Sequence, residues 1–261
     1  MKARPLLPVA VDAAREVLAL ADVQRPRDID VQAIAMRLGM RIQYGPMSTS
    51  RGWLVRGGDH AIVYVAEDAR GEPRGDHTVA HEAGHFKMHK AADHFAQCDD
   101  ESAKGTKKKA GRGDRAFWME IEANHFSTEL RMPESLVTPF CAMPSPTLDH
   151  MSRLTRFFPT SLSSAGLRFT QLAPAPCAWV FSAGGVVKWA SESASFPGTI
   201  AKDDALHPSS VAHAVQRKRA GTDDDPREVP GAAWRGKTPF LEHAIGLGPE
   251  IGVMSWIVPL A

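Results

Sequence analysis

Two histidines four residues apart, His81 and His85, restrict the fold of this chain more than any other feature of its sequence. Residues 77–90 around them predict a helix, and side chains four apart on a helix share one face. Both imidazoles can therefore converge on one cation. Glu82 follows about 100° further round the helix, where it can accept a proton from a water molecule without ligating the metal. The pattern predicts a hydrolytic metal site, and Gly84 is expected to leave room beside the metal.

A third protein ligand is expected, because catalytic zinc sites combine three protein ligands with one open position. The next predicted helix offers Glu120, Glu122 and Glu129. Glu120 and Glu122 lie about 200° apart on a helix, so they cannot both face the metal. The apolar residues of this helix spread too widely to select a face, so periodicity leaves the choice open. His89 continues the histidine stripe but lies about 12 Å along the axis from His81, which predicts a supporting or structural role.

The composition excludes several other classes of protein. With 261 residues, 43% of them apolar, the chain can bury the core of one and a half to two domains. A net charge of +1 gives no general argument for nucleic acid or a membrane surface. Three widely spaced cysteines form no disulfide framework, and there is no apolar run of about 18 residues that would span a membrane. We therefore expect a cytoplasmic protein. The basic segment within residues 92–115 predicts a solvated loop.

Two stretches of the sequence together are more specific than the five-residue motif. TVAHEAGHFKMH at 78–89, followed by EIEANHFSTELRMP at 120–133, resembles the ImmA/IrrE family of metallopeptidases. Members typically show Thr-x-Ala-His-Glu-x-Gly-His-x-x-x-His and, a few dozen residues later, Glu-x-x-Ala-Asn-x-Phe-x-x-x-Leu-x-Met-Pro. The resemblance is strong over 76–133 and weaker over about 10–190.

This resemblance implies a role for each matching residue. His81, His85 and Glu120 would be the metal ligands, and Glu82 would be the general base. Asn124, one turn after Glu120, would orient the second helix as a partner of the ligands. We expect zinc at this site, although two imidazoles and one carboxylate also accept Mn²⁺ or Fe²⁺.

The chain departs from the family pattern at Asp76, where an arginine is common. We interpret this as a lost salt bridge or an altered substrate contact, because no ligand or base is affected. The residue that would stabilise the oxyanion of a hydrolysed peptide stays open among Tyr64, His77 and His125, each of which also has an ordinary packing explanation.

The order of predicted elements favours an α+β fold. We expect a zincin-like peptidase domain at 1–145, with a small antiparallel sheet and a metal site between two helices. A helical, helix-turn-helix-like connector would follow at 146–172, and a strand-rich accessory or sensor domain at 173–261. The strands expected before the metal-site helix span residues 40–44, 52–56 and 60–66, with a hairpin turn at 57–59.

Three functions are compatible with these features. By resemblance, the chain is expected to be a site-specific endopeptidase that cleaves a helix-turn-helix-type transcriptional repressor and so derepresses mobile-element or stress genes. The alternative is a metal-binding sensor or regulatory protein without turnover, which would not need Glu82. Direct DNA binding ranks last, because Arg153, Arg156 and Arg168 are too sparse for a recognition helix.

Overall fold

The computed structural model describes residues 2–47, 52–89, 96–98, 115–143, 146–218, 223–248 and 251–260. They divide into two compact units. The first unit contains Leu6–Leu136 and Thr155–Ser161, and the second contains Met1–Pro5, Val137–Leu154 and Leu162–Ala261. None of the helices in the described ranges combines the length and the hydropathy needed to cross a membrane.

The first unit holds a four-stranded sheet in the order β1-β3-β2-β4. Its strands are β1 (Met40–Gly45), β2 (Gly52–Gly57), β3 (His60–Ala66) and β4 (Ala96–Cys98). The predicted hairpin between β2 and β3 is confirmed, with Gly57 opposite His60 and Gly58 at a φ of +66°. The short β4 falls within the predicted loop 92–115, most of which lies outside the described residues.

The sheet is mixed, which corrects the expectation of a purely antiparallel one. β1 pairs in parallel with β3, from Met40 opposite Ala61 to Gly45 opposite Ala66. The connection from β1 to β2 has only six residues, 46–51. Gly45 at the end of β1 and Gly52 at the start of β2 both lie beside the C-terminal end of β3. Because the connection is short, β1 must end where β2 begins, and β1 therefore runs parallel to β3.

Among the described residues of this unit, four α-helices accompany the sheet, and two of them form the site. They are α1 (Pro8–Leu20), α2 (Val31–Arg37), α3 (Pro73–Met88) and α4 (Arg115–Arg131). Helix α3 begins four residues before the predicted start at His77, because Pro73 occupies the first turn, where proline is favoured. Gly75 is not a helix breaker here. A Cβ at that position would lie 2.2 Å from the carbonyl oxygen of Ala69, so glycine permits close packing.

Helices α3 and α4 pack directly on each other beside the sheet. The buried residues of these two helices and of β3 include Val63, Val79, Ala83, Phe126 and Leu130. A Cβ on Gly84 would lie 3.1 Å from both the Ala123 Cα and the Phe126 Cβ. The glycine therefore allows the two helices to approach each other closely.

The second unit is built on a five-stranded antiparallel sheet in the order β6-β5-β9-β8-β7. Its strands are β5 (Ala178–Ala183), β6 (Val186–Glu192), β7 (Asp223–Val229), β8 (Phe240–Gly246) and β9 (Val253–Pro259). The helices that follow α4 are α5 (Glu134–Cys141), α6 (Leu148–Phe157), α7 (Leu162–Leu172) and α8 (Val211–Lys218). The two short helices predicted within 146–172 are confirmed as α6 and α7.

Aromatic side chains fill the core of the second unit. Trp179 and Trp256 are buried with ring centroids 6.0 Å apart, and Phe169 packs edge-on against Trp256 at 5.5 Å. Trp189 is only half-buried and lies against Phe181. Trp179 and Trp256 therefore anchor this core. The α+β fold, with helices and small sheets around a His-His-Glu group and a C-terminal strand region, agrees with the predicted fold class.

Candidate metal centre

His81 and His85 on α3 and Glu120 on α4 converge at one point. One ligand atom from each lies within 4.8 Å of the other two. The two Nε2 atoms of the histidines are 3.0 Å apart, and the Glu120 carboxylate oxygens lie 3.4 Å from His81 Nε2 and 3.5 Å from His85 Nε2. Both imidazoles are buried, at 4% exposure each, while the Glu120 side chain is 23% exposed.

The donor set fits a divalent metal. The Nδ1 of His81 lies 3.1 Å from the Asn124 Oδ1, an acceptor, so this nitrogen carries the proton and leaves Nε2 with its lone pair. Two nitrogens at 3.0 Å need a shared proton or a cation between them, because facing lone pairs repel. Two nitrogens on one tetrahedral zinc lie about 3.3 Å apart. The histidine spacing is close to that value.

The electrostatics of the group also favour a bound cation. Burial would raise the pKa of Glu120, but the neighbouring His81 and His85 hold it well below its usual range. Burial is also the largest influence on His81 and would lower its pKa, yet the carboxylates of Glu120 and Glu82 raise it. Burial lowers the pKa of His85. A carboxylate that stays ionised beside two imidazoles is a strong set of donors for a metal.

Glu82 is fully buried on α3, next to the ligands but outside the three-residue group. The sheet approaches α3 closely here, because a Cβ on Gly52 of β2 would lie 3.7 Å from the Glu82 Oε1 and 2.2 Å from the Thr78 Cγ2. Only glycine at position 52 lets the strand pass this close. This role of Gly52 was not visible in the sequence, because a glycine at the start of a strand is also typical of a turn.

The structure gives the three candidate glutamates of α4 different partners. Glu120 faces the two histidine ligands. Glu122 lies with Oε2 2.9 Å from the Nε2 of His89, whose Nδ1 is in turn 2.9 Å from the Nδ1 of His85. Glu129 accepts a hydrogen bond from Arg15 of α1 at 3.3 Å. The choice that periodicity left open is therefore made by the way α4 packs on its neighbours.

The three residues considered for oxyanion stabilisation all have packing contacts. Tyr64 stacks on Trp53 with ring centroids 4.3 Å apart. The Nδ1 of His125 accepts a hydrogen bond from the backbone N–H of Leu7 at 2.9 Å, which fixes the start of α1. His77 lies one turn before His81, with its Nδ1 3.1 Å from the Ser127 Oγ.

Asp76, the departure from the family pattern, interacts with a buried arginine. Arg131 at the end of α4 is 2% exposed and donates to His77 Nδ1 at 3.1 Å and to the carbonyl of Pro159 at 3.2 Å. Burial lowers its pKa to about 10, and the negative charge of Asp76 opposes that shift. Burial raises the pKa of Asp76, against the charge of Arg131. Asp76 therefore feels the charge of Arg131 on the second helix, and its interpretation as a lost salt bridge or an altered substrate contact stays a prediction.

This chain is similar to known proteins in part of its sequence and in its fold. The model of the IrrE N-terminal-like domain, Peptidase_M78, matches residues 35–170, which is just over half of the chain and includes the whole metal centre. Among solved structures, a Mycobacterium tuberculosis transcriptional regulator is similar, with a TM-score of 0.55 and 13% sequence identity over 97% of this chain and 88% of that one. At this identity the likeness concerns the fold. No curated protein matches this sequence.

Proposed function

Because this chain belongs to the family of IrrE N-terminal-like peptidase domains, we propose that it is a zinc-dependent, site-specific endopeptidase. The metal would be held by His81, His85 and Glu120, with Glu82 as the general base. The observation that carries this proposal is the convergence of two imidazole nitrogens and one carboxylate on a single point. A fully buried carboxylate, Glu82, lies beside them.

The chain's own residues supply proton transfer and positioning. When bound, the metal supplies Lewis acidity, which acidifies a water molecule and polarises the peptide carbonyl. Glu82 accepts one proton as the water oxygen bonds to the carbonyl carbon, and it delivers that proton to the amide nitrogen as the C–N bond breaks. The products are a carboxylic acid and an amine, which exchange a proton to give a carboxylate and an ammonium group. The Oδ1 of Asn124 accepts a hydrogen bond from the Nδ1 of His81 and so holds the His81 ring in place.

The proposed substrate is a helix-turn-helix-type transcriptional repressor, whose cleavage would derepress mobile-element or stress genes. This partner rests on the family to which the chain belongs. We propose that the peptidase acts in the cytoplasm, where such a repressor works. Residues 173–261 would form an accessory or sensor domain, with 146–172 as its helical connector.

A metal-binding regulator without turnover is the alternative, and Glu82 separates the two. A site that only binds metal has no need of a buried carboxylate beside its ligands, and burying one is costly. The Glu82→Gln variant keeps the size and shape of the side chain but cannot accept a proton, so it should bind metal without cleaving.

The proposal is tested in cells of the organism from which this protein comes, expressing either the wild type or the Glu82→Gln variant. New protein N-termini in these cells are labelled and sequenced. We expect one or a few new N-termini within a helix-turn-helix protein, present with the wild type and absent with Glu82→Gln. Replacement of the exposed Glu72 by Gln is the matched control and should leave cleavage unchanged. If the metal-loaded wild type and the Glu82→Gln variant give the same set of N-termini, the peptidase proposal fails. The metal-binding regulator without turnover then remains.

A further inference from the structure

His85 is tied to α4 through a second histidine, and this contact has a definite chemical direction. We propose that Glu122 and His89 form a hydrogen-bonded relay that fixes the tautomer of His85, so that its Nε2 presents a lone pair to the metal. The proposal rests on the metal site proposed above. Glu122 and His89 are positioning residues in this account, because neither touches the metal or the substrate.

The relay is short and largely buried. His89 is the first residue after α3, and its φ of −111° and ψ of 57° take the backbone out of the helix. Its N–H still donates to the carbonyl of His85 at 3.0 Å, which holds the two residues together. The His89 side chain is 6% exposed, and both hydrogen bonds of the relay measure 2.9 Å.

The positions of the protons determine which atom donates and which accepts in each hydrogen bond of the relay. An ionised carboxylate only accepts hydrogen bonds, so the Nε2 of His89 must carry the proton that points at Glu122. A neutral His89 then has its lone pair on Nδ1 and accepts from the Nδ1 of His85. His85 consequently carries its proton on Nδ1, and its Nε2 is left as a lone pair facing His81 and Glu120.

The same arrangement serves the other ligand by a shorter route. The Oδ1 of Asn124 accepts directly from the Nδ1 of His81 at 3.1 Å. Each metal-binding histidine therefore has its outer nitrogen tied to an acceptor on α4, one through Asn124 and one through His89 and Glu122. Contacts of this kind orient ligating imidazoles and raise their basicity, and their loss typically weakens metal binding by about 10–100-fold.

If His89 only filled space, position 89 would tolerate different substitutions from those that the relay allows. Packing needs only volume, so leucine would serve. The relay needs an acceptor near the Nδ1 of His85, so asparagine should serve, because its Oδ1 can take the place of the His89 Nδ1. Asn124 already does this for His81. The two explanations therefore rank His89→Leu and His89→Asn in opposite orders.

The test measures zinc affinity by chelator competition and the visible absorption spectrum of the Co²⁺-loaded protein. For His89→Leu and for Glu122→Leu we expect zinc to bind about 10–100-fold more weakly, with a shifted cobalt spectrum. His89→Asn should stay within about threefold of wild type. The exposed His60, replaced by leucine, is the matched control and should change nothing.

Each result decides the proposal. The relay is overturned if His89→Leu binds zinc as tightly as wild type with an unchanged cobalt spectrum, or if His89→Asn is as weak as His89→Leu. If His89→Leu does not fold, a comparison of His89→Asn with Glu122→Leu makes the same distinction. If the wild type and the relay variants all bind zinc with the same affinity, the relay is refuted but the metal site is not. A wild type that binds no metal refutes the proposed site as well.

Discussion

Replacing Arg131 by methionine is expected to destabilise the first unit by about 3 kcal/mol. Arg131 is 2% exposed and donates to three acceptors, which are the Ser127 Oγ, the Pro159 carbonyl and the His77 Nδ1, at 3.1–3.3 Å. Asp76, which is half-buried, would lose the nearby positive charge that favours its ionised form. Removing one member of a buried charge pair typically costs about 3–5 kcal/mol. Methionine retains most of the apolar stem, so we expect the low end of this range.

A double-mutant cycle separates the charge interaction from the other contacts of Arg131. Asp76→Asn alone should cost about 1 kcal/mol, since Arg131 keeps its three acceptors. The double variant should cost about 3 kcal/mol instead of the additive 4, because no unpaired carboxylate is left behind. The coupling of about 1 kcal/mol would show that the two groups interact across the two site helices.

Urea unfolding of the metal-free protein, followed by circular dichroism, measures these free energies. Arg153→Met is the matched control, because Arg153 is exposed, and it should stay within about 0.5 kcal/mol of wild type. The reasoning is refuted if Arg131→Met costs less than about 1 kcal/mol, or if the two substitutions are additive.

Three further perturbations have defined outcomes. Gly166→Ala should destabilise the second unit by about 1–3 kcal/mol in thermal unfolding, because a Cβ there would lie 2.3 Å from the Trp179 Nε1, whereas Gly45→Ala meets no atom within 4 Å and should be near neutral. Glu242→Leu should cost about 4 kcal/mol in urea unfolding, because it removes the acceptor of two backbone N–H groups at 2.8 Å and one indole N–H at 2.9 Å, while Glu228→Leu on the exposed face is the control. Zinc affinity, followed by chelator competition, should fall as the pH drops through the region of the histidine pKa values, and the raised pKa of the first histidine ligand moves the onset of proton competition upward.

The parts of the fold that local signals determine were predictable from the sequence. The spacing of His81 and His85 and the helix around them follow from residue periodicity, and the hairpin at 57–59 follows from its turn residues. The helix pair at 146–172 was visible for the same reason. The family resemblance extended this to Glu120, which the structure places with the two histidines.

The parts that depend on packing between distant segments were not predictable. The rotation of α4 decides among its three glutamates, and it is set by the close approach at Gly84, Ala123 and Phe126. The strands β7 and β8 also escaped sequence reasoning. The segment DDDPREV of β7 reads as a loop, but β7 lies at the edge of the sheet, where charges and proline are tolerated. In β8 a buried glutamate interrupts the apolar pattern, and its donors come from elsewhere in the chain.

We propose that His81, His85 and Glu120 hold one metal ion and that Glu82 acts as the general base without holding the metal. Metal content per chain, measured by elemental analysis on purified and zinc-reconstituted protein, tests it most directly. We predict about one zinc per chain in the wild type and in Glu82→Gln, and close to none in Glu120→Ala. A wild type that takes up no metal after reconstitution would contradict the account, and so would a Glu120→Ala variant that still holds a full zinc equivalent.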